Sequence, residues 1–296
     1  MQTVRRIITT PLRFLDRIYR AVKGFFSRIF QSVNSLFTDA PEERFIGDAF
    51  QTVIEQPVTL LPHLDALRKH LLRVLLVMAL TTALSFTFSQ QILTWLTQPL
   101  EGGIESLMAI EVTEPLSTLM RISLLSGFVL ALPYMAFETW LFLAPALHPK
   151  SRLWGLLAIP AVLLFFLGGL SFAYYVILPT AIPFLLGILG LPAQVRPASY
   201  IGFTTGLMFW IGVAFEFPLI IFLFASLGWL SYKTLAQQWR LAVVIIAILA
   251  ALITPTIDPV NMSLVMAPLL VLYLFSIGLA YIANLRRSSG QSAKAS

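Results

Sequence analysis

Composition and charge already restrict the class of protein. The chain has 296 residues, of which 58% are hydrophobic and 11% are charged, with 20 Lys and Arg against 14 Asp and Glu. Soluble domains carry about a quarter charged residues, so this composition excludes a water-soluble globule of the usual kind. Without cysteine there are no disulfides, Fe–S clusters or thiol nucleophiles, and three His leave little for a metal site. We therefore expect no cofactor and no metal.

Long charge-free stretches predict an all-α polytopic membrane protein with six spanning helices. About 20 apolar residues, at 1.5 Å each, cross the hydrocarbon core of a bilayer. The fifth span is short, because the uncharged residues 241–257 give only about 25 Å of helix. Pro179, Pro183 and Pro192 predict an outer loop after the third span. The predicted spans are residues 70–89, 116–141, 153–176, 200–226, 241–256 and 262–283.

The distribution of charge between the spans predicts the orientation. One side, which we call the basic end, carries Arg68, Lys69, Arg73, Lys150, Arg152, Lys233, Arg240, Arg286, Arg287 and Lys294. The other side, the acidic end, carries Glu101, Glu105, Glu111, Glu114, Arg196 and Asp258. By the positive-inside rule both termini are predicted to be cytoplasmic. Topology thus explains the net charge of +6, and no nucleic-acid partner is expected.

The N-terminal extension differs from the rest of the chain. Residues 1–38 contain seven basic side chains and one acid, Asp16, with the apolar residues on the opposite side of a helical wheel. This pattern is typical of a helix lying in an anionic membrane surface, with an organellar transit peptide and a loosely ordered tail as alternatives. Residues 39–60 are predicted to be a polar linker, 61–285 the membrane domain and 286–296 a cytoplasmic tail.

Motifs for catalysis are missing from the sequence. Neither His-Glu-x-x-His nor Gly-x-x-x-x-Gly-Lys-Ser/Thr occurs. An intramembrane serine protease needs a His at membrane depth, but His63, His70 and His148 all fall at the basic boundary. An intramembrane aspartyl protease needs two facing Asp, and only Asp258 is available. We therefore expect a protein that is not an enzyme.

Charged residues interrupt the second and the fourth predicted spans. Charge in lipid is costly, so Arg121, Glu138 and Glu216 should face protein or water. Glu216 is the strongest single functional candidate, with a structural hydrogen bond as the alternative. Arg121 is predicted to pair with Glu114, two turns away, or with the acidic outer loop. Kinks are predicted at Pro133, Pro160, Pro218 and Pro268.

Five separate segments occur in an order that carries a family resemblance. They are His63-Leu64-Asp65-Ala66-Leu67-Arg68-Lys69-His70-Leu71, Thr113-Glu114-Pro115-Leu116, Trp140-Leu141-Phe142-Leu143-Ala144-Pro145-Ala146-Leu147, Phe215-Glu216-Phe217-Pro218 and Thr254-Pro255-Thr256-Ile257-Asp258-Pro259. On a six-span chain with both ends inside and two short final helices, they resemble the TatC family of the twin-arginine, Sec-independent protein translocase. The resemblance implies a concave cup of helices that recognises twin-arginine signal peptides at the cytoplasmic face. Such a protein helps to form a route for folded proteins, driven by the proton-motive force.

The resemblance also implies partners and site residues. The partners are single-span TatA- and TatB-type subunits, signal peptides of folded precursors, membrane lipid and further copies of the chain. The implied location is a bacterial inner membrane, with an organellar membrane as the alternative. The residues implied for signal-peptide recognition are His63, Leu64, Asp65, Leu67, Arg68, Phe142, Pro145, Leu147, Ser151 and Arg152. Those implied as structural or partner contacts on the outer side are Glu114, Pro115, Arg121, Pro255 and Asp258.

The sequence departs from the family pattern at two recognition positions. The family usually has Glu where this chain has Ala66 and Ser151. Carboxylates suit a guanidinium group because they accept bidentate, charge-assisted hydrogen bonds. Asp65, next to the first position, and Glu138, about a turn deeper, are the predicted substitutes. The alternative for Asp65 is that it only caps or solvates the helix start.

Two other functions remain open at this point. A small-solute secondary transporter could use Glu216 and the helix-breaking prolines for an ion site, although spans 1–3 and 4–6 show no repeat. A divergent scaffold that has lost signal binding would explain Ala66 and Ser151.

Overall fold

The computed structural model describes residues 60–144, 149–187, 194–254 and 259–295, and most of these residues are helical. One π-helical segment covers Ala173–Ile177, and an isolated parallel β-bridge pairs Leu107 with Val195. The α-helices are α1 (Leu60–Phe86), α2 (Ser89–Leu96), α3 (Glu114–Leu143), α4 (Pro149–Phe172), α5 (Leu178–Gly187), α6 (Pro197–Phe215), α7 (Phe217–Leu227), α8 (Tyr232–Gln237), α9 (Trp239–Ile253) and α10 (Pro259–Ala295). The predicted N-terminal extension and nearly all of the linker lie outside the described residues.

Five helical stretches of the described chain are long and apolar enough to cross a membrane, and α9 is a shorter apolar helix of 15 residues. This confirms the prediction of six apolar helices with a short fifth. The prediction that the sixth span is also short is wrong, because its apolar stretch of 24 residues covers about 36 Å. The long stretches are Leu64–Phe86, Glu114–Leu143, Gly155–Gly187, Pro197–Ser226 and Asn261–Asn284.

The third span continues where the sequence predicts a loop. Pro179 lies just after the π-helical segment Ala173–Ile177, and such a local π-helical adjustment lets a membrane helix continue past a proline. The helix also gains burial, because Leu178, Ala181 and Ile182 belong to the main apolar core. Burial in the tertiary structure therefore outweighs the turn preference of the prolines.

The fourth span is broken at Glu216, between α6 and α7. Pro218 stands in the first turn of α7, so the predicted kink in this span is confirmed. The Glu216 carbonyl accepts hydrogen bonds from the N–H groups of Leu219, at 3.0 Å, and Ile220, at 3.1 Å. The break thus starts a new helix and places one carboxylate at the junction.

Helix α1 is less buried than the other long helices. Only 6% of its apolar stretch is buried, against 28% in α3, which is its main neighbour. The two helices cross closely at Gly127, where an added Cβ would lie 2.6 Å from the Cα of Thr82. The Thr81 hydroxyl donates a hydrogen bond of 2.8 Å to the Gly127 carbonyl. Small residues at such a crossing let two backbones approach inside lipid.

Candidate functional site

A buried carboxylate joins α1 to α3 at the basic end. The side chain of Glu138 is 2% exposed, and its Oε2 contacts Nδ1 of His70. The Tyr134 hydroxyl donates a hydrogen bond to Oε1, and the Arg73 guanidinium lies 3.6 Å from Oε2. The Phe142 ring meets the His70 ring in an edge contact, with 6.0 Å between centroids. We call these five residues the Glu138 cluster.

The geometry of the Glu138 cluster favours a role inside the protein. Both carboxylate oxygens already have partners, and burying a charge is tolerated only with such partners. The imidazole of His70 and the guanidinium of Arg73 supply the compensating groups from α1. An arriving guanidinium would have to displace them from an almost inaccessible site. Glu138 is therefore better suited to holding α1 than to receiving a ligand.

The carboxylate of Asp65, on α1, is exposed, in contrast to the buried carboxylate of Glu138 on α3. Its carboxylate lies 2.6 Å from the Lys69 ammonium, and the two side chains are 55% and 63% exposed. Exposed pairs one turn apart contribute only a few tenths of a kcal/mol, because water and salt screen them. Leu64 and Leu67 beside it are also exposed. Asp65 is thus an accessible carboxylate flanked by apolar side chains at the basic end.

The other predicted recognition residues divide between helix ends and the undescribed parts of the chain. His63 and Arg68 belong to α1, with Arg68 exposed, and Phe142 brings the end of α3 against α1. Ser151 and Arg152 fall in the first turn of α4. The predicted residues outside the described part are Pro145, Leu147, Pro255 and Asp258.

At the acidic end, Glu114 joins two loops. Its side chain is 2% exposed and accepts hydrogen bonds from the N–H of Ile110, at 3.0 Å, and from Nε of Arg196, at 2.5 Å. Arg196 also reaches Glu111 at 2.7 Å, and the hydrogen bonds to Glu111 and Glu114 raise the pKa of Arg196. The predicted pairing of Glu114 with Arg121 is wrong, since Arg196, from the loop before α6, pairs with the Glu114 carboxylate instead. We call Glu111, Glu114 and Arg196 the outer clamp.

Arg121 instead links α3 to α6. Its guanidinium lies against Gly202, where an added Cβ would collide with it, and donates to the Ala198 carbonyl at 3.4 Å. Pro115, the remaining residue of the predicted outer set, is exposed in the first turn of α3. Arg121 therefore has a packing contact in the tertiary structure, made possible by a glycine on the neighbouring helix.

Two tyrosines fasten α2 to the rest of the acidic end. The Tyr174 ring stacks on Trp95 with 4.0 Å between centroids, and its hydroxyl donates to the Trp95 carbonyl at 2.7 Å. The Tyr200 hydroxyl donates to the Leu96 carbonyl at 2.9 Å. These carbonyls lie in the last turn of a helix, where intrahelical donors run out. The acidic end is consequently held by side chains from several elements.

Glu216 belongs to neither the Glu138 cluster nor the outer clamp. Its Oε1 is buried and has no hydrogen-bond partner among the described residues. It is on the fourth span, away from both the Glu138 cluster and the outer clamp in sequence, and its carboxylate is not part of either. The structure thus keeps it as a polar group at a helix junction.

Sequence reasoning missed the partners of the two buried glutamates. Tyr134 stands one helical turn before Glu138, a spacing that places both on one face and could have revealed the pair. In the sequence, Arg73 and Arg196 contribute only to the charge of the basic and the acidic end, and nothing local indicates which side chains they contact. Their contacts join residues 65 or more positions apart, with 82 positions between Arg196 and Glu114, and no local pattern encodes such a distance.

The fold and these polar clusters define a multi-pass helical membrane protein whose buried charges connect helices and loops. The chain belongs to the TatC family: residues 62–268 match the family described as Sec-independent protein translocase protein (TatC). It is a family of protein translocase components and not an enzyme family.

Individual relatives agree over most of the chain. Sec-independent protein translocase protein TatC of Deinococcus radiodurans is 34% identical over 250 residues, which cover 82% of this chain and 92% of the relative. The TatC protein of Carboxydothermus hydrogenoformans is 31% identical over 239 residues, covering 80% and 98%. A crystal structure of the twin arginine translocase receptor TatC matches with a TM-score of 0.66 and 30% identity, over 75% of this chain and 99% of that chain.

Proposed function

We propose that this protein is the receptor subunit that binds twin-arginine signal peptides at the basic end, with Asp65 as the carboxylate that receives an arginine. The observation that carries the proposal is the accessibility of Asp65 in the segment that resembles the family's recognition motif. The proposed setting is a bacterial inner membrane with both termini in the cytoplasm. The positive-inside rule supports this orientation, because it assigns the basic end to the cytoplasmic side.

The chemistry of Asp65 suits this role. A carboxylate can accept two parallel hydrogen bonds from one guanidinium group, which an ammonium group cannot supply in the same geometry. The arriving arginine would replace Lys69, whose exposed pairing with Asp65 is weak. The exposed Leu64 and Leu67 offer contact to the apolar segment that follows the charged part of a signal peptide.

We also propose the partners that the family resemblance implies. Helix α9 presents an apolar face at Leu241, Val244, Ile248 and Leu252, all more than half exposed, at helical spacing. Such a face suits lipid or the single span of a TatA- or TatB-type subunit. Assembly with these subunits and further copies would form the route for folded proteins, driven by the proton-motive force.

The proposal is tested by site-specific photocrosslinking from positions 65, 66, 138 and 151 to a precursor whose signal carries either Arg-Arg or Lys-Lys. We expect Arg-Arg-dependent crosslinks from positions 65 and 66 and none from position 138, because Glu138 is buried. Asp65→Glu should keep the preference and Asp65→Asn should lose it.

A folded protein that crosslinks to neither signal, or equally to both, would contradict the proposal. That outcome would support a divergent scaffold without signal binding. Family membership argues against the remaining alternative, a small-solute transporter.

A further inference from the structure

Two attachments of helix α1 to α3, made by side-chain or close backbone contacts among the described residues, lie at different depths. One is the crossing at Gly127 and Thr82, and the other is the Glu138 cluster. The twelve residues from His70 to Thr82 separate the two attachments by about 18 Å of helix. The crossing can hold the acidic half of α1, whereas the cluster lies near the basic end.

The exposed leucines of α1 contribute little to the position of its basic end. These leucines gain little free energy by packing against protein instead of lipid, because lipid tails are as apolar as leucine. Close approach also needs small residues, but the contact there is between the rings of His70 and Phe142. A buried carboxylate with partners on both helices supplies a directional attachment in their place. His70 and Arg73 face it from α1, and Tyr134 faces it from α3.

We propose that Glu138 is a positioning residue: together with His70 it anchors the basic end of α1 and so holds Asp65 in the place where a signal peptide binds. Asp65 is five residues, or about 7.5 Å, from His70 on the same helix. A change in the angle of α1 at the cluster therefore moves Asp65 directly. The functional part of this inference rests on the proposed role of Asp65 as the arginine acceptor.

The position of α1 can be measured in the full chain reconstituted in lipid nanodiscs. Because the chain has no cysteine, spin labels can be placed at introduced cysteine pairs. Leu67 on the basic half of α1, Leu84 on its acidic half and Leu164 on α4 are all exposed. The pair 67 and 164 reports the basic end, and the pair 84 and 164 is the internal control.

We expect Glu138→Gln and His70→Gln to broaden the distance distribution between positions 67 and 164 and to leave the distribution between 84 and 164 unchanged. Binding of an Arg-Arg signal peptide should fall by about tenfold in both variants although Asp65 is intact. His70→Arg, which places N–H donors opposite Glu138, should leave both readouts close to those of the unmodified chain. The double variant Glu138→Gln/His70→Gln should bind the signal peptide no more weakly than either single variant, since each substitution removes the same contact between Glu138 and His70.

Two outcomes would overturn the inference. If binding falls while the distribution between 67 and 164 stays narrow, Glu138 acts on the signal peptide directly. If the distribution broadens while binding is unchanged, the position of α1 does not control recognition. An unmodified chain that does not distinguish Arg-Arg from Lys-Lys would instead contradict the proposed function, and the distance measurements would still decide whether the cluster anchors α1.

Discussion

The two ends of α3 each carry a buried glutamate, yet the two sites are built differently. At the acidic end, Glu114 accepts from a backbone N–H and from Arg196, an arginine of another loop. At the basic end, among the described residues, Glu138 links α1 to α3 through His70, Arg73 and Tyr134. The outer clamp thus adds to a region already held by several elements, whereas the Glu138 cluster is a local link to a helix with little other burial.

This difference indicates that the two ends of the molecule contribute differently to stability and to recognition. Fastened loops at the acidic end keep the helices together, because tyrosines, a β-bridge and an ion pair all act there. The basic end leaves a carboxylate accessible on α1. Of the two ends, the acidic end should therefore be the one where substitutions lower stability more, and substitutions at the basic end should affect recognition.

The largest effect is expected at the crossing that lies between the two ends. Gly127→Leu would place side-chain atoms where the Thr82 backbone lies, so α1 and α3 would have to separate. We expect a loss of several kcal/mol in the free energy of unfolding, seen as a strongly lowered melting temperature in detergent. Gly206→Ala is the matched control, because nothing lies within 4 Å of an added Cβ there. Equal stability of the two variants would show that the crossing does not hold α1.

The outer clamp should show the next largest effect. Glu114→Gln removes the buried charge opposite Arg196, and we expect a loss of about 2 kcal/mol. Glu111→Gln is the control, since the Glu111 side chain is 64% exposed and its pair should contribute less than about 1 kcal/mol. Both are compared by thermal unfolding of purified protein. If Glu111→Gln proves the more damaging, the buried carboxylate is not the centre of the clamp.

A single hydroxyl tests how firmly α2 is held. Tyr200→Phe removes the hydrogen bond to the Leu96 carbonyl and should cost about 1 kcal/mol, with faster amide exchange in α2. Tyr175→Phe serves as the control because its side chain is exposed. Unchanged exchange in α2 would mean that the Trp95 and Tyr174 contacts hold this helix alone.

The smallest effect on stability is expected at Asp65. Asp65→Asn and Lys69→Gln break an exposed pair, so the melting temperature should stay close to that of the unmodified chain. Their effects on Arg-Arg signal binding should have opposite signs: loss of the carboxylate weakens binding, and loss of the competing lysine strengthens it. Titration with signal peptide measures both. A large drop in stability for Asp65→Asn would assign Asp65 to the fold rather than to the ligand.

The sequence by itself determined the class of protein and most of its helices. A bilayer requires long apolar stretches, and loops must hold the charges, so hydropathy alone locates the spans. The short fifth helix and the break at Pro218 also follow from local chemistry, since helix length and a missing N–H are properties of the residues themselves.

Tertiary structure decided what each buried charge contacts and where the third span ends. Glu114 turned to Arg196 rather than to Arg121 because folding brought a distant loop beside it, and α5 stayed helical because its apolar residues are buried in the core. The division of Glu138 and Asp65 into a buried anchor and an accessible carboxylate arose in the same way. Burial and pairing depend on neighbours supplied by other helices, and a single sequence does not encode those neighbours locally.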